Sequence, residues 1–280
     1  MRNVNQKVIQ EFFLDNFNQF SPETIRAYNI ALSQFFAVCP KNYDEVHARD
    51  IRNWLETMNQ EGLQPRSIRL KLSALKSFYR YCIEENKITK NPTKKVNTPK
   101  KVDSLPRYLT KRQLAMLQEY SMNDPRDRAI IEILYATGVR INELLQVRLE
   151  DIKWDTRQIW IRKGKGNKAR FVLFSHSCAE RLKRYLDTRS YGSEYLFSNA
   201  KGKPISDKLV QLKFREYSET LGFKVSPHTL RHTFAANLAD KGMDFSYIQE
   251  LLGHSNINST RIYIRLRNHE RKKQYDQYQQ

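Results

Sequence analysis

The segment "SPHTLRHTFAANL", residues 226–238, places an arginine among histidines: His228, Arg231 and His232. His228 and Arg231 are three residues apart, a spacing that presents both to the same side of a helix. An imidazole beside a guanidinium is a poor packing choice and a reasonable phosphate clamp. The planar guanidinium makes bidentate bonds to phosphate and keeps its proton. Arg140 has an equally unusual setting in "YATGVR", after a glycine that ends one helix and before the next begins. Lys165 lies in the turn "KGKGNKA", where flexible glycines let a long ammonium approach a ligand. If the substrate is a phosphodiester, cleavage without a metal needs three things. These are a nucleophile, donors for the charge growing on the phosphoryl oxygens, and an acid for the leaving oxygen. Near the end of the chain, "LGHSNINSTRIYIR" supplies His254 and, nine residues later, Tyr263. The chain has 15 tyrosines, and most tyrosines are packing residues whose hydroxyl finds a partner. Taken alone, Tyr263 reads either as one more half-buried aromatic or as a nucleophile.

Metal chemistry is not expected. His228 and His232 have the spacing of a zinc pair, but "HTLRH" lacks the adjacent glutamate of H-E-x-x-H, and an arginine between ligands opposes a cation. Cys39, Cys82 and Cys178 are odd in number, far apart and set among apolar neighbours. They build neither a disulfide framework nor a C-x-x-C site, and read as reduced, buried thiols.

The elements that position these residues fit two domains. The chain has 280 residues, 40% of them hydrophobic, enough for two ordinary cores and too many for a disordered chain. "SPETIRAYNIALSQFF" starts with Ser21 as N-cap and Pro22 at the first helical position. "DIRNWLETMNQEG" and "QPRSIRLKLSALKSFYRYCIEEN" repeat the helical period. The latter carries Arg66, Arg69, Lys71, Lys76 and Arg80, with no acid from Gly62 to Ile83. An ordinary solvated helix mixes signs to gain ion pairs along its surface; this one suits a phosphate backbone. Residues 87–106 are rich in lysine, Lys94 and Lys95 among them, and are punctuated by Pro92, Pro99 and Pro106. That composition predicts an extended basic linker, with the domain boundary near residue 100. Thr110 and Gln113 then have capping-box spacing. "DPRDRAIIEILYATG" reads as a helix stopped at Gly138, and "RINELLQVRLEDI" as a second helix. Gln158–Arg162 and Arg170–Phe174 read as a β-hairpin around the turn that carries Lys165. From Ser177 onward the pattern is mostly helical again.

Lysine and arginine total 49 against 30 acids, a formal charge of +19. Such a surplus steers a protein towards a polyanion, and nucleic acid is the first partner to expect. The N-terminus lacks a signal-peptide pattern and no window is apolar enough to span a bilayer, so the expectation is a cytoplasmic protein with no membrane partner.

Four motifs, "ATGVRINELLQV", "RKGKGNKARFVLF", "SPHTLRHTFAANL" and "LLGHSNINSTRIY", occur in the order and spacing of a known family. The chain resembles the tyrosine site-specific recombinases, the phage-integrase and Xer-type group, across residues 136–263. The start, with "TIRAY" and "SIRLKLSALKSFYRY", resembles that family's DNA-clamping domain. The resemblance implies a mostly α fold with a small β-sheet in the second domain. A helical core-DNA-binding bundle (1–86) would be joined by the basic linker (87–106) to an α+β catalytic domain (107–280). It implies that Arg140 and Arg231 grip the scissile phosphate and that Lys165 protonates the leaving 5′ oxygen. His228 would be a general base or phosphate contact, His254 a second phosphate-binding histidine and Tyr263 the nucleophile. Glu143 matches an acidic buttress, and His232 reads as a packing neighbour.

The reaction so implied is strand cleavage and rejoining through a 3′-phosphotyrosyl link and a Holliday junction, with no cofactor, metal or ATP. The partner is double-stranded DNA bearing a specific site, held by a homotetramer across two sites, with or without accessory proteins. With about 100 residues before the catalytic domain, there is no evident room for a further DNA-binding domain. That favours simple recombination or resolution over the large phage-integrase arrangement, the candidate roles being resolution of cointegrates or multimers, integration and excision of a mobile element, and chromosome dimer resolution. The alternatives are a type IB topoisomerase-like nicking-closing enzyme and a non-catalytic DNA-binding regulator.

Overall fold

The computed structural model describes residues 2–98, 107–162 and 169–253. The chain divides into two compact units, Met1–Ser104 and Leu105–Gln280, each with its own core. Among the described residues no helix is long and apolar enough to cross a membrane.

Among the described residues the first unit holds four α-helices: α1 (Arg2–Asp15), α2 (Pro22–Val38), α3 (Ala48–Gln60) and α4 (Pro65–Glu84). Ser21 caps α2 by accepting from the Thr24 backbone N–H, with Pro22 at the first helical position, where its missing N–H costs nothing. Phe12, Leu32, Phe35, Ile51, Leu72, Leu75, Phe78 and Tyr79 are all buried in one cluster. Each such side chain stabilises the bundle by roughly 1.5–3 kcal/mol when removed from water. The rings meet edge-on, as in Phe12 against Phe78 at 5.7 Å, the arrangement their quadrupoles favour.

Residues 87–98 do not form the extended strand expected of the linker. They fold back on the bundle, with Val96 buried in its core and Ile88 packed against it. Lys87 pairs with Glu11 at 2.7 Å, and Lys76 donates to Thr98 at 3.0 Å. The cause is the apolar pair Ile88 and Val96, spaced among the lysines, which gains more by burial than the lysines lose by mutual repulsion. Residues 99–106, with Pro99 and Pro106, lie outside the described residues.

The second unit is built around α6 (Pro125–Thr137), which follows α5 (Lys111–Tyr120). Thr110 and Gln113 cap α5 reciprocally. Ala129, Ile130, Ile131, Ile133 and Leu134 are all buried, so α6 is apolar nearly all round, as a central helix must be. It stops at Gly138, whose φ of 62° is left-handed. A Cβ there would collide with the Phe234 ring, so both the turn and the packing require glycine.

Beyond it the expected long helix shrinks to one turn, α7 (Ile141–Leu144). The chain leaves helix at Leu145 because Val147 and Leu149 bond to the segment at 194–196. The Leu196 N–H donates to the Val147 carbonyl and the Leu149 N–H to the Glu194 carbonyl. These extended-chain bonds bring Leu144, Leu145 and Val147 together into the core.

A three-stranded antiparallel meander follows: β1 (Ile152–Lys153), β2 (Gln158–Ile161) and β3 (Arg170–Leu173). The hairpin stands as expected, with Ile161 opposite Arg170 at its turn end; the two-residue β1 escapes a sequence reading. Ile159, Ile161 and Val172 point into the core while Phe171 and Leu173 face out, the two-residue period of a half-buried sheet. The described residues that follow carry four more helices: α8 (His176–Thr188), α9 (Asp207–Leu221), α10 (Pro227–Asp240) and α11 (Phe245–Leu252). Ser226 caps α10 by accepting from the Thr229 N–H. The small residues Ala235, Ala236 and Ala239 of α10 pack with Ile248 and Leu252 of α11.

Candidate functional site

Helix α11 ends at Gly253, whose φ is 62°. The last carbonyls of a helix lack intrahelical donors and carry the negative end of its dipole. Here three arginines from three different elements take them in succession. Arg170 on β3 donates Nε–H to the Leu251 carbonyl at 3.2 Å. Arg231 on α10 donates to the Leu252 carbonyl at 2.7 Å. Arg140, the residue before α7, donates to the Gly253 carbonyl at 3.4 Å.

Arg231 is buried and also donates to the Gly138 carbonyl at 2.6 Å. It therefore clasps the glycine that ends α6 and the final turn of α11 at once. Arg140 and Arg170 share one carboxylate, that of Glu143. Arg140 reaches Oε1 at 2.7 Å with Nη1 and Oε2 at 3.0 Å with its backbone N–H. Arg170 reaches Oε2 at 2.7 Å and Oε1 at 3.3 Å. Glu143 is nearly buried, its side chain 5% exposed. Burial alone would push its carboxyl up, but the bonds from Arg170 and from the Arg140 backbone, with the Arg170 charge, hold it below the usual carboxylate range. The four side chains amount to three positive charges against one negative. Backbone carbonyls share the work of fixing the guanidiniums, so the cluster stays electropositive while rigidly held. Such an arrangement suits an anion.

His228 is exposed on the first turn of α10, whereas Arg231, one turn further on, is buried. His232 is half-buried. Burial, then the neighbouring His228 and Arg231 charges, lower its pKa to about 4. Lys165, His254 and Tyr263 lie outside the described residues. His254 is the residue next after Gly253, the last carbonyl the arginines reach.

Of this cluster, sequence reasoning missed Arg170. It is one of five basic residues between Arg162 and Arg170, and nothing in the charge run singles it out. A signal was nevertheless there. Residue 170 shares the inward parity of Val172 and Phe174, both buried, and an arginine at an inward strand position must have a buried partner.

In the first unit, Arg66, Arg69, Lys76 and Arg80 fall within an arc of about 80° on α4 at 3.6 residues per turn. Ser73 lies within the same arc. Lys71 is on the opposite, apolar side, its ammonium 5.9 Å from the Trp54 ring centroid. Lys94 and Lys95 are exposed on the returning strap, which Lys76 ties to α4 through Thr98.

Comparison with known proteins places this architecture. Residues 107–270 match the model of the phage integrase family, and residues 9–86 match the phage integrase N-terminal SAM-like domain. The chain belongs to the phage integrase family of tyrosine site-specific recombinases. It is 33% identical over 269 residues to tyrosine recombinase XerC of Staphylococcus carnosus, covering 91% of this chain and 90% of that protein. To tyrosine recombinase XerA of Pyrococcus horikoshii it is 34% identical over 269 residues, covering 94% and 90%. Among solved structures, XerH site-specific recombinase bound to palindromic difH substrate in a post-cleavage complex superposes with a TM-score of 0.77. It is 24% identical, and the match covers 91% of this chain and 80% of that one. The recombinase is thus a two-domain enzyme of the tyrosine class, acting on DNA by site-specific recombination.

Proposed function

We propose that this recombinase cuts and rejoins DNA through Tyr263. Arg140 and Arg231 hold the scissile phosphate, assisted by His228 and His254, and Glu143 fixes Arg140. His228 takes the phenol proton of Tyr263, the resulting phenolate oxygen attacks phosphorus, the bond to the 5′ oxygen breaks, and Lys165 gives that oxygen its proton. The product is a 3′-phosphotyrosyl link and a free 5′ hydroxyl. Because the ester bond is conserved, a 5′ hydroxyl from a second duplex can reverse the step and leave a Holliday junction. A free tyrosine has a pKa of roughly 10, so only about one in a thousand is ionised at neutral pH. The electropositive cluster is what such a nucleophile and a phosphate both need. Two duplexes with paired cuts call for a homotetramer on two DNA sites, with or without accessory proteins. In the first domain, Arg66, Arg69, Lys76 and Arg80 of α4, with Lys94 and Lys95, lie on phosphates; Lys71 supports Trp54 instead. The errand is resolution of cointegrates or multimers, or movement of a mobile element.

The observation that carries this reading is the gathering of Arg140, Arg231 and Glu143 at the end of α11. It lies one residue before His254 and ten before Tyr263. Mapping the covalent attachment point on random DNA fragments supplies the site. On a nicked duplex carrying it, the wild type accumulates a covalent adduct, and Tyr263→Phe binds equally well with none. An adduct that survives Tyr263→Phe overturns the assignment of the nucleophile. Relaxation of plasmids that lack the mapped site would favour a topoisomerase-like cycle instead.

A further inference from the structure

Arg170 lies within the motif "RKGKGNKARFVLF" but takes none of the roles the resemblance assigns, yet it makes more of the cluster's contacts than Arg140 does through its side chain. It stands at the first position of β3, where the hairpin turn ends, and faces inward. Three bonds leave its guanidinium: two to the Glu143 oxygens and one to the Leu251 carbonyl. Each Glu143 oxygen therefore accepts from Arg170 on one side and from Arg140 on the other. This is a fork-to-fork pairing in which the carboxylate serves as a hinge pin between two arginines. Gly253 completes the arrangement. A Cβ at that position would lie 2.9 Å from Arg170 Cζ, so the guanidinium packs flat against the glycine backbone. Any larger residue at 253 would drive Arg170 away from both Glu143 and Leu251.

We infer that Arg170 is a positioning residue for strand cleavage. By sharing Glu143 with Arg140 and the end of α11 with Arg140 and Arg231, it sets the angle at which the Arg140 guanidinium meets the phosphate. The inference rests on the proposed role of Arg140 as a phosphate clamp. The mechanism is local. Without Arg170, the buried Glu143 loses the partner that most offsets its burial. The carboxyl takes up a proton more readily, and a protonated oxygen no longer accepts from Arg140. The Leu251 carbonyl loses its donor at the same time, and the last turn of α11 loses one of its three anchors. Lysine at 170 can reach one Glu143 oxygen but cannot bridge both and the carbonyl, because its ammonium is a point charge rather than a fork.

The test compares two nicked duplexes bearing the mapped site, one with the native scissile phosphate and one with a methylphosphonate there. Single-turnover cleavage is measured at saturating protein. The methylphosphonate lacks the negative charge that an arginine clamp offsets, so a defect in the clamp is relieved on it and a general loss of folding is not. Arg140→Ala is expected to cleave the phosphate roughly 100-fold or more slowly, as for loss of an oxyanion donor, with most of that deficit gone on the methylphosphonate. Arg170→Ala is expected to follow the same pattern at about 30-fold, and Arg170→Lys to fall between it and the wild type. Should Arg170→Ala fail to fold, Arg170→Lys reads the same relief. The inference is overturned if the Arg170 variants slow both substrates equally or slow neither. If instead Arg140→Ala shows no relief, the clamp reading itself fails, which is a separate outcome.

Discussion

His232 lies one residue after the buried Arg231, and burial, with the nearby His228 and Arg231 charges, brings its pKa down to about 4 from an ordinary value of 6.5. Well above pH 6.5 it is uncharged in both the folded and unfolded chain, and contributes no pH dependence. Below pH 6.5 the unfolded chain takes up a proton that the folded chain refuses. Stability therefore falls as the pH drops from 6.5 towards 4. At roughly 1.4 kcal/mol per unit, the loss amounts to about 3 kcal/mol across that window. Glu143, held below its ordinary range, adds a loss of the same sign at lower pH. Replacing the histidine separates the two. Urea unfolding of His232→Gln from pH 7 to 4 is expected to show a shallower decline than the wild type. Parallel declines would mean that His232 is not the group responsible. A neutral His232 also fits its place behind Arg231: a second fixed cation there would oppose the guanidinium it packs beside.

At the scale of elements, the sequence showed most clearly those features whose physical causes are local. Ser21 and Thr110 cap the helices they were expected to cap, and Gly138 stops α6 because a left-handed turn is required there. The hairpin was visible from its alternation. Features decided by distant contacts were hidden. The long helix expected after Arg140 gives way because residues 147–149 bond to residues 194–196, a pairing no local window contains. The strap at 87–98 folds back because Ile88 and Val96 find the bundle core. The site divides in the same manner. Arg140, Glu143 and Arg231 were legible as motif positions, whereas Arg170 acquires its meaning only from Glu143 and Leu251, 27 and 81 residues away. Within α4 the five basic residues looked alike in sequence, yet Lys71 sits by Trp54 while Arg66 is exposed on the other side. Hence Arg66→Gln is expected to reduce the slope of log affinity against log salt by about 1, and Lys71→Gln to leave it unchanged. Equal effects from the two would remove the distinction between the faces.

Over the whole molecule, the formal charge of +19 serves two different ends. In the first unit the charges are exposed or half-buried, on long side chains along α4 and the strap. These are the conditions under which cations act by releasing counterions from DNA, a contribution that salt erodes. In the second unit Arg140, Arg170 and Arg231 are held by carbonyls and a buried carboxylate. Their interactions take place with little water between, where salt screens poorly. Affinity and chemistry should therefore come apart. Neutralising Arg66, Arg69, Lys76, Arg80, Lys94 and Lys95 together is expected to flatten the salt dependence of non-specific duplex binding by about 5 in slope, at roughly 0.9 per phosphate contact. With the variant protein raised to saturation on the nicked site, single-turnover cleavage should stay within about threefold of the wild type, because the cluster that fixes Arg140 and Arg231 is held by carbonyls and a carboxylate of the second unit itself. The measurement is a pair of curves, binding against salt and cleavage rate against protein concentration. A slope change below about 2 would show that other cations carry the DNA. A cleavage rate that stays depressed at saturation would show that the first unit contributes to the chemical step as well as to holding the substrate.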